Sequence, residues 1–169
     1  MRTDDDAERL EALFRGRCAI VLEYALRRGA TLDEAEDVVS ETFVVALRRL
    51  EEIPENSVPW LLGVAHKLLA NQRRGRRRRT ELGNKLKVAG TEFATPFRDP
   101  VEALEARDRL RAAFAHLPKW DQEALSLLSW EGLSSAEAAE VMGCSRGHFD
   151  VKIWRARRRL VKEMALSGH

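Results

Sequence analysis

The clearest hydrophobic pattern in this 169-residue chain lies within residues 133–160. It predicts a short helix, a tight turn and a second helix. Ser134 and Glu137 have the three-residue spacing of a capping box that starts a helix. Gly143 is a typical helix stop, and Ser145 is placed to open the second helix.

The second of these helices has two distinct sides on a helical wheel of about 100° per residue. One side is apolar, and we expect it to be buried: Phe149, Ile153, Ala156, Leu160 and Met164. The other side is basic and aromatic and is available to a partner: His148, Val151, Trp154, Arg155 and Arg158. A helix-turn-helix with such a second helix is the layout that places one helix in a DNA major groove.

Three longer amphipathic helices are predicted in the first half of the chain. The first covers 7–28 and ends at Gly29, with Phe14 among its apolar positions. The second opens with another capping box, its apolar positions include Phe43 and Leu47, and Pro54 is expected to stop it. The third starts near Pro59 and Trp60 and continues into a run of arginines. These helices can bury one shared core, so residues 1–79 are predicted to form an N-terminal helical bundle.

Residues 80–98 lack a sustained period and contain glycine and proline, which predicts a flexible linker. Asp99 and Pro100 look like an N-cap and a first helical residue. Helices over 101–117 and about 120–130 then lead into the helix-turn-helix. The predicted fold is therefore all-α, with two small helical domains at 1–79 and 99–169, the second made of four helices.

Charge changes this picture because it is segregated along the chain. The net charge is only +2, but one arginine block lies within 73–79 and another basic block within 155–162. A single basic run is often only a solvated face. Two such blocks, one of them on a helix-turn-helix, favour a polyanionic partner.

Several classes of protein are disfavoured. No apolar run approaches the ~20 residues of a membrane span, and the acidic N-terminus differs from a secretory signal, so we expect a cytoplasmic protein with no membrane insertion of its own. The two cysteines and four histidines lack metal-ligand spacing, so no metal or other cofactor is expected. No nucleophile–base pair or phosphate loop is evident, so an enzyme is not expected.

Two blocks of sequence carry a resemblance to a known family. They are AEDVVSETFVVALRRL with WLLGVAHKLLANQRRGRRRR in the first half, and LPKWDQEALSLLSWEGLSSAEAAEVMGCSRGHFDVKIWRARRRL in the second. Together they resemble the extracytoplasmic-function (ECF) sigma factors of bacterial RNA polymerase, over nearly the whole chain. The resemblance implies a subunit that binds core RNA polymerase and directs it to promoter DNA. It also implies control by an anti-sigma factor, which could hold the protein at the membrane. Because the chain ends soon after the basic helix, we expect that regulator to be a separate protein.

The resemblance also implies three sets of site residues. Core polymerase would be bound by Asp37, Glu41, Phe43 and Arg48. The downstream (minus-ten) promoter element would be read, and one base captured, by Glu55, Asn56, Ser57, His66, Lys67, Asn71 and Arg74. The upstream (minus-thirty-five) element would be read by Ser134, Ser135, Arg146, His148, Asp150, Val151, Lys152, Trp154, Arg155 and Arg158.

Asp150 departs from the family pattern, in which a cation is common at that position. Its carboxylate could accept from a cytosine amino group, or it could orient Arg146 or Lys152. An alternative for the whole chain is a stand-alone helix-turn-helix regulator, in which the first domain serves for dimerisation or effector binding. Such a regulator would bind duplex DNA tightly without polymerase.

Overall fold

The computed structural model describes residues 2–82 and 101–168, with side chains placed for 3–79 and 104–168. Every regular element in these residues is helical, which confirms the predicted all-α fold. The chain divides into two compact units, 1–92 and 93–169. The helices are α1 (Arg2–Arg27), α2 (Leu32–Arg48), α3 (Val58–Leu82), α4 (Val101–Ala115), α5 (Lys119–Ser129), α6 (Ser135–Met142) and α7 (Arg146–Leu166), and one 3₁₀ turn covers Leu50–Glu52.

In the N-terminal unit α1, α2 and α3 pack on one another around a single core. Gly29, at φ 83°, takes the left-handed conformation that ends α1. The Thr31 hydroxyl then accepts from the Glu34 N–H and the Glu34 carboxylate accepts from the Thr31 N–H, so the predicted capping box starts α2. All three helices contribute fully buried side chains to this core, among them Val21, Tyr24, Ala25, Ala35, Val38, Leu61, Leu62 and Ala65.

In the C-terminal unit α7 packs against α4, α5 and α6. The Ser134–Glu137 capping box starts α6, and Gly143 ends it in the left-handed conformation at φ 68°. Ser145 caps α7 by accepting from the His148 N–H. These signals confirm the predicted helix-turn-helix. Phe149 is fully buried and packs against Trp120 of α5. Burial of this one side chain contributes roughly 1.5–3 kcal/mol to the stability of the unit.

The bounds differ from the prediction where tertiary packing intervenes. α2 ends at Arg48, before Pro54, because a 3₁₀ turn brings the Leu50 side chain into the core. Pro54 does not end the helix; it restricts the backbone of the preceding Ile53, which is extended at φ −75° and ψ 118°. α3 continues to Leu82, into the range expected to be linker. The rest of that range, and the expected cap at Asp99–Pro100, lie outside the described residues.

Three positions expected in the core are exposed. Phe14 is 44% exposed, Leu47 55% and Met164 40%. A helical wheel gives the direction of a side chain but not how far the neighbouring helices extend over it. Within 2–82 and 101–168, no helix combines the length and apolarity needed to cross a membrane.

Candidate functional site

The outer face of α2 carries three of the four residues expected to bind polymerase. Asp37, Glu41 and Arg48 are exposed and lie within about 40° of one another on the helical wheel. Phe43 lies elsewhere: its ring is only 7% exposed and packs edge-on against Phe14, with ring centroids 4.9 Å apart. The exposed apolar residue on this face is Val44, which lies between Glu41 and Arg48 and is 47% exposed.

An apolar groove of about 470 Å³ lies beside this face, between the first half of α1 and the end of α2. Its apolar walls are Leu10, Phe14, Phe43 and Leu47, and Asp6 and Glu11 lie at its edge. Sequence reasoning missed it because the wheel assigns both Phe14 and Leu47 to the core. The groove and the α2 face together form a surface of charged and apolar groups.

The loop before α3 is exposed in its middle and buried at its ends. Glu55 and Asn56 are exposed, whereas Ser57 is only 3% exposed. The Ser57 hydroxyl accepts from Arg17 Nε at 3.3 Å, and the Ser57 carbonyl accepts from the Leu61 N–H at 2.9 Å. The structure therefore places Ser57 as an internal anchor, while its two neighbours face solvent.

An exposed ion pair precedes this loop in the 3₁₀ turn. The Arg49 guanidinium donates to the Glu52 carboxylate, with its Nε at 2.8 Å. This hydrogen bond holds the pKa of Glu52 below its usual range and raises the pKa of Arg49. The same guanidinium lies 5.8 Å from the ring centre of the half-buried Trp60.

One face of α3 is polar and cationic. Lys67, Asn71 and Arg74 are exposed at intervals of four and three residues, so they lie on one side of the helix. His66 lies about 100° from Lys67 on the helical wheel and is half-buried. Its Nδ1 lies 3.3 Å from the hydroxyl of Tyr24, a fully buried residue of α1. His66 is therefore held against the core, at the edge of the α3 face.

The arginine block at the end of α3 is partly engaged inside the N-terminal unit. Arg73 donates to the Arg28 carbonyl at 2.7 Å, and Arg76 forms an ion pair with Glu34 of α2. Arg28 is itself buried, with its guanidinium 3.7 Å from the centre of the Tyr24 ring. The block thus fixes α3 to α1 and α2, a role that sequence reasoning did not assign to it.

The outer side of α7 carries the five residues that the helical wheel assigns to it. His148, Val151, Trp154, Arg155 and Arg158 are all exposed. The Trp154 indole is 57% exposed, and the Arg158 guanidinium lies 4.8 Å from its ring centre. A surface of this kind offers both cations for phosphates and a planar ring for base edges.

The remaining expected residues of the helix-turn-helix are engaged locally. Arg146 Nε lies 3.7 Å from Asp150 Oδ2, whereas Lys152 Nζ lies 4.1 Å from the ring centre of Trp120. Of the two cations considered for Asp150, the structure thus pairs it with Arg146. Ser134 is exposed and occupied in its capping box, and Ser135 is half-buried at the start of α6.

An ion pair between a buried carboxylate and a half-exposed guanidinium joins α5 to α7. Arg159 Nη1 lies 2.6 Å from Asp121 Oδ2, and the Asp121 side chain is only 2% exposed. Arg159 belongs to the basic block within 155–162, and no spacing in the sequence connects it to Asp121. Among the described residues, no group of three or more histidine, cysteine or acidic side chains is placed to hold a metal ion.

Comparison with known proteins identifies both units. Residues 17–79 match the family Sigma-70 region 2, and residues 107–160 match Sigma-70, region 4. The ECF RNA polymerase sigma factor SigL of Mycobacterium tuberculosis is 30% identical over 145 residues, which cover 84% of this chain and 81% of SigL. The chain belongs to the ECF RNA polymerase sigma factors. The RNA polymerase sigma factor YlaC of Bacillus subtilis is 29% identical, with 94% of this chain and 93% of YlaC covered.

Two solved structures share the fold of this sigma factor. The first, the sigma factor RpoE in complex with the anti-sigma factor NepR from Bartonella quintana, has a TM-score of 0.68 at 22% identity and covers 92% of this chain and 96% of that one. The second, CnrH in complex with the cytosolic domain of CnrY, has a TM-score of 0.60 at 22% identity, with 95% of each chain covered.

Sigma factors are not enzymes; their regions 2 and 4 bind core RNA polymerase and promoter DNA. In this chain region 2 comprises the C-terminal part of α1 together with α2 and nearly all of α3, and region 4 runs from α4 into α7. Which side chains make the contacts stays a prediction.

Proposed function

We propose that this sigma factor docks on core polymerase through the outer face of α2 and reads a promoter through two separate DNA-binding surfaces. The observation that carries the proposal is that both sigma regions occur in one chain, and each keeps a polar, solvent-facing surface after its core is formed.

The docking surface consists of Asp37, Glu41 and Arg48 as polar groups, with Val44 and Leu47 as the apolar centre. In such interfaces buried apolar side chains supply most of the affinity, and charges at the rim set orientation and encounter rate. Phe43 contributes by supporting the wall of the neighbouring groove, since its ring is buried.

The downstream element is read by the loop before α3 and by the outer face of α3. Glu55 and Asn56 offer hydrogen bonds to an unstacked base, while Lys67, Asn71 and Arg74 follow the backbone of the single strand. Extruding a base costs a few kcal/mol, which polar groups and cations that hold the strand must offset. His66 borders this face, with its ring fixed by Tyr24.

The upstream element is read by α7. His148, Val151, Trp154, Arg155 and Arg158 face the major groove, and the start of α6 at Ser134 and Ser135 lies against a phosphate. Asp150 orients Arg146 at the first turn of α7, in keeping with their 3.7 Å separation. Lys152 stabilises the packing of α7 on α5 through its contact with the Trp120 ring.

Reconstitution tests this proposal. The purified chain is mixed with bacterial core polymerase and a promoter library in which both elements are randomised, and the selected promoters are mapped at single-base resolution. We expect promoter-dependent initiation and DNA opening that require both proteins. Lack of core binding under all conditions would refute the proposal.

The same reagents separate the alternative of a stand-alone regulator. A gel-shift assay on the selected promoter is run with and without core polymerase. A sigma factor should bind weakly by itself and tightly as holoenzyme. Tight, specific binding by the chain alone would favour the regulator.

The protein is further proposed to act in the cytoplasm under control of an anti-sigma factor, which could hold it at the membrane. Support comes from the solved structure of the same fold in which the sigma factor RpoE is bound to the anti-sigma factor NepR. Affinity purification of the tagged protein from its native cells, before and after stress, should recover one protein that competes with core polymerase. Recovery of polymerase alone would count against an anti-sigma factor.

A further inference from the structure

The loop that precedes α3 is fixed at both of its ends by arginines of α1. Arg9 Nη2 donates to the Ile53 carbonyl at 3.1 Å, and Arg17 Nε donates to the Ser57 hydroxyl at 3.3 Å. The ends are also buried, since Ile53 is 5% and Ser57 3% exposed. Neither arginine belongs to a basic block, and the sequence gives no reason to connect them with this loop.

The spacing of the two arginines along α1 lies within the reach of the loop. Positions 9 and 17 are separated by about 12 Å along a helix that rises 1.5 Å per residue. The four steps from Ile53 to Ser57 span at most about 13–14 Å when extended. One helix can therefore bind both ends of the loop at once, while the chain bends at Glu55 and Asn56 between them.

The residues between these ends face solvent. Pro54, Glu55 and Asn56 are all exposed, and Pro54 has a fixed φ angle that removes one degree of freedom from the segment. An arch of three residues is thus presented on two fixed supports. We propose that Arg9 and Arg17 are positioning residues for base capture, which hold Glu55 and Asn56 in the geometry that receives an unstacked base.

This inference rests on the proposed function, in which the loop receives that base. A hydrogen bond discriminates well between bases when its donor and acceptor are held in place before the base arrives. If the loop is mobile, the entropy lost in ordering it on binding offsets the free energy of the hydrogen bond. Arginine suits this task, since its long side chain carries several donors in a rigid fork. α1 thereby takes part in promoter reading without touching DNA.

The competing explanation is that Arg17 contacts a DNA phosphate directly. Its Nε is directed to the Ser57 hydroxyl and the side chain is half-buried, which favours the positioning role. The two roles make different predictions for a pair of substitutions. If Arg17 acts through Ser57, then Arg17→Met and Ser57→Ala remove the same interaction, and the double variant should be no worse than either single one. If Arg17 binds phosphate, their effects should add.

The experiment uses full-length variants with core polymerase on a promoter selected by the wild-type holoenzyme. The first measurement is the base preference at each position of the downstream element, taken as the ratio of opening rates for the preferred and the other bases. Opening is followed by permanganate reactivity of unpaired thymines. Core affinity and the thermal midpoint of each variant are measured in parallel. Arg15→Met is the matched control, because Arg15 lies on the same helix but is exposed and paired with Glu11.

We expect Arg9→Met, Arg17→Met and Ser57→Ala each to lower the preference at one downstream position by roughly three- to tenfold, the effect of one hydrogen bond. Core affinity and the preference at the upstream element should not change, and Arg15→Met should behave as wild type. Arg17→Lys keeps the charge but lacks the Nε–H, so it should restore little of the preference.

Unchanged base preference in the Ser57→Ala holoenzyme would overturn the inference, and so would additive effects with full rescue by Arg17→Lys. Ser57→Ala removes a single oxygen atom, so it remains informative if either arginine variant folds poorly. A different result, in which the wild-type holoenzyme opens no promoter, would instead refute the proposed function.

Discussion

Replacing Arg159 by methionine should destabilise the C-terminal unit strongly, although the side chain lies in a run of surface arginines. The Asp121 carboxylate that it contacts at 2.6 Å is 2% exposed, whereas the Arg159 side chain is 50% exposed. In the variant this carboxylate stays buried without its cation. Removing one partner of a fully buried pair costs about 3–5 kcal/mol. Because water already reaches the Arg159 side of this pair, we expect a loss of about 2–3 kcal/mol.

Urea denaturation followed by tryptophan fluorescence measures this loss. A Trp60→Phe background leaves only Trp120, Trp130 and Trp154, all in the unit 93–169. For a unit of this size the expected loss corresponds to a midpoint lowered by about 1–2 M urea. Arg157→Met is the matched control, because its exposed side chain should change stability by no more than about 0.5 kcal/mol.

A double-mutant cycle isolates the pair. Asp121→Asn removes the charge at nearly constant volume, so the variant that also carries Arg159→Met should lose clearly less stability than the sum of the two single changes. The reasoning is refuted if Arg159→Met unfolds at the same urea concentration as Arg157→Met, or if the two single effects are additive.

Three further predictions concern other parts of the chain. Phe43→Ala should lower the stability of the N-terminal unit by about 3–5 kcal/mol, whereas Leu47→Ala should cost less than about 1 kcal/mol. Leu47→Ala should instead weaken core polymerase binding in a pull-down titration. Equal stability losses in the two variants would contradict the buried position of Phe43 and the exposed position of Leu47. Glu52→Gln should lower the thermal midpoint at pH 7, because Arg49 depresses the pKa of Glu52 in the folded state. The difference in thermal midpoint between variant and wild type should disappear as the pH falls through that pKa. A difference that does not depend on pH would contradict this cause. Gly143→Ala should cost the C-terminal unit about 1–2 kcal/mol in urea unfolding, since alanine is strained at φ 68°, and a neutral effect would show that the turn can change its conformation.

The parts of the fold that local chemistry determines could be predicted from the sequence. Both capping boxes, the glycine that ends α6 and the serine that opens α7 each depend on residues within one helical turn. The buried side of α7 was likewise predicted at Phe149, Ile153 and Ala156, because its 3.6-residue period continues through the basic run.

The parts that depend on contacts distant in sequence could not be predicted. Arg17 and Ser57 are separated by 40 positions, and Arg159 and Asp121 by 38, so no spacing rule connects them. In the sequence Arg159 does not differ from its solvent-facing neighbours, and only the fold places the buried Asp121 carboxylate opposite it. Phe43 is a different case. It lies about 120° from Asp37 on the helical wheel, and that angle alone separates it from the outer face of α2.

The pairing of Arg146 with Asp150 has a consequence for how the protein is distributed between its partners in a cell. A carboxylate beside a cation on the outer side of α7 weakens attraction to any phosphate backbone, whatever its sequence. A genome offers about 10⁶–10⁹ non-specific sites, which compete with a small pool of polymerase for every free molecule. On the proposed function, a recognition helix with part of its charge cancelled leaves more molecules unbound by bulk DNA and ready for assembly. Weak binding of the isolated subunit to DNA then favours formation of the holoenzyme.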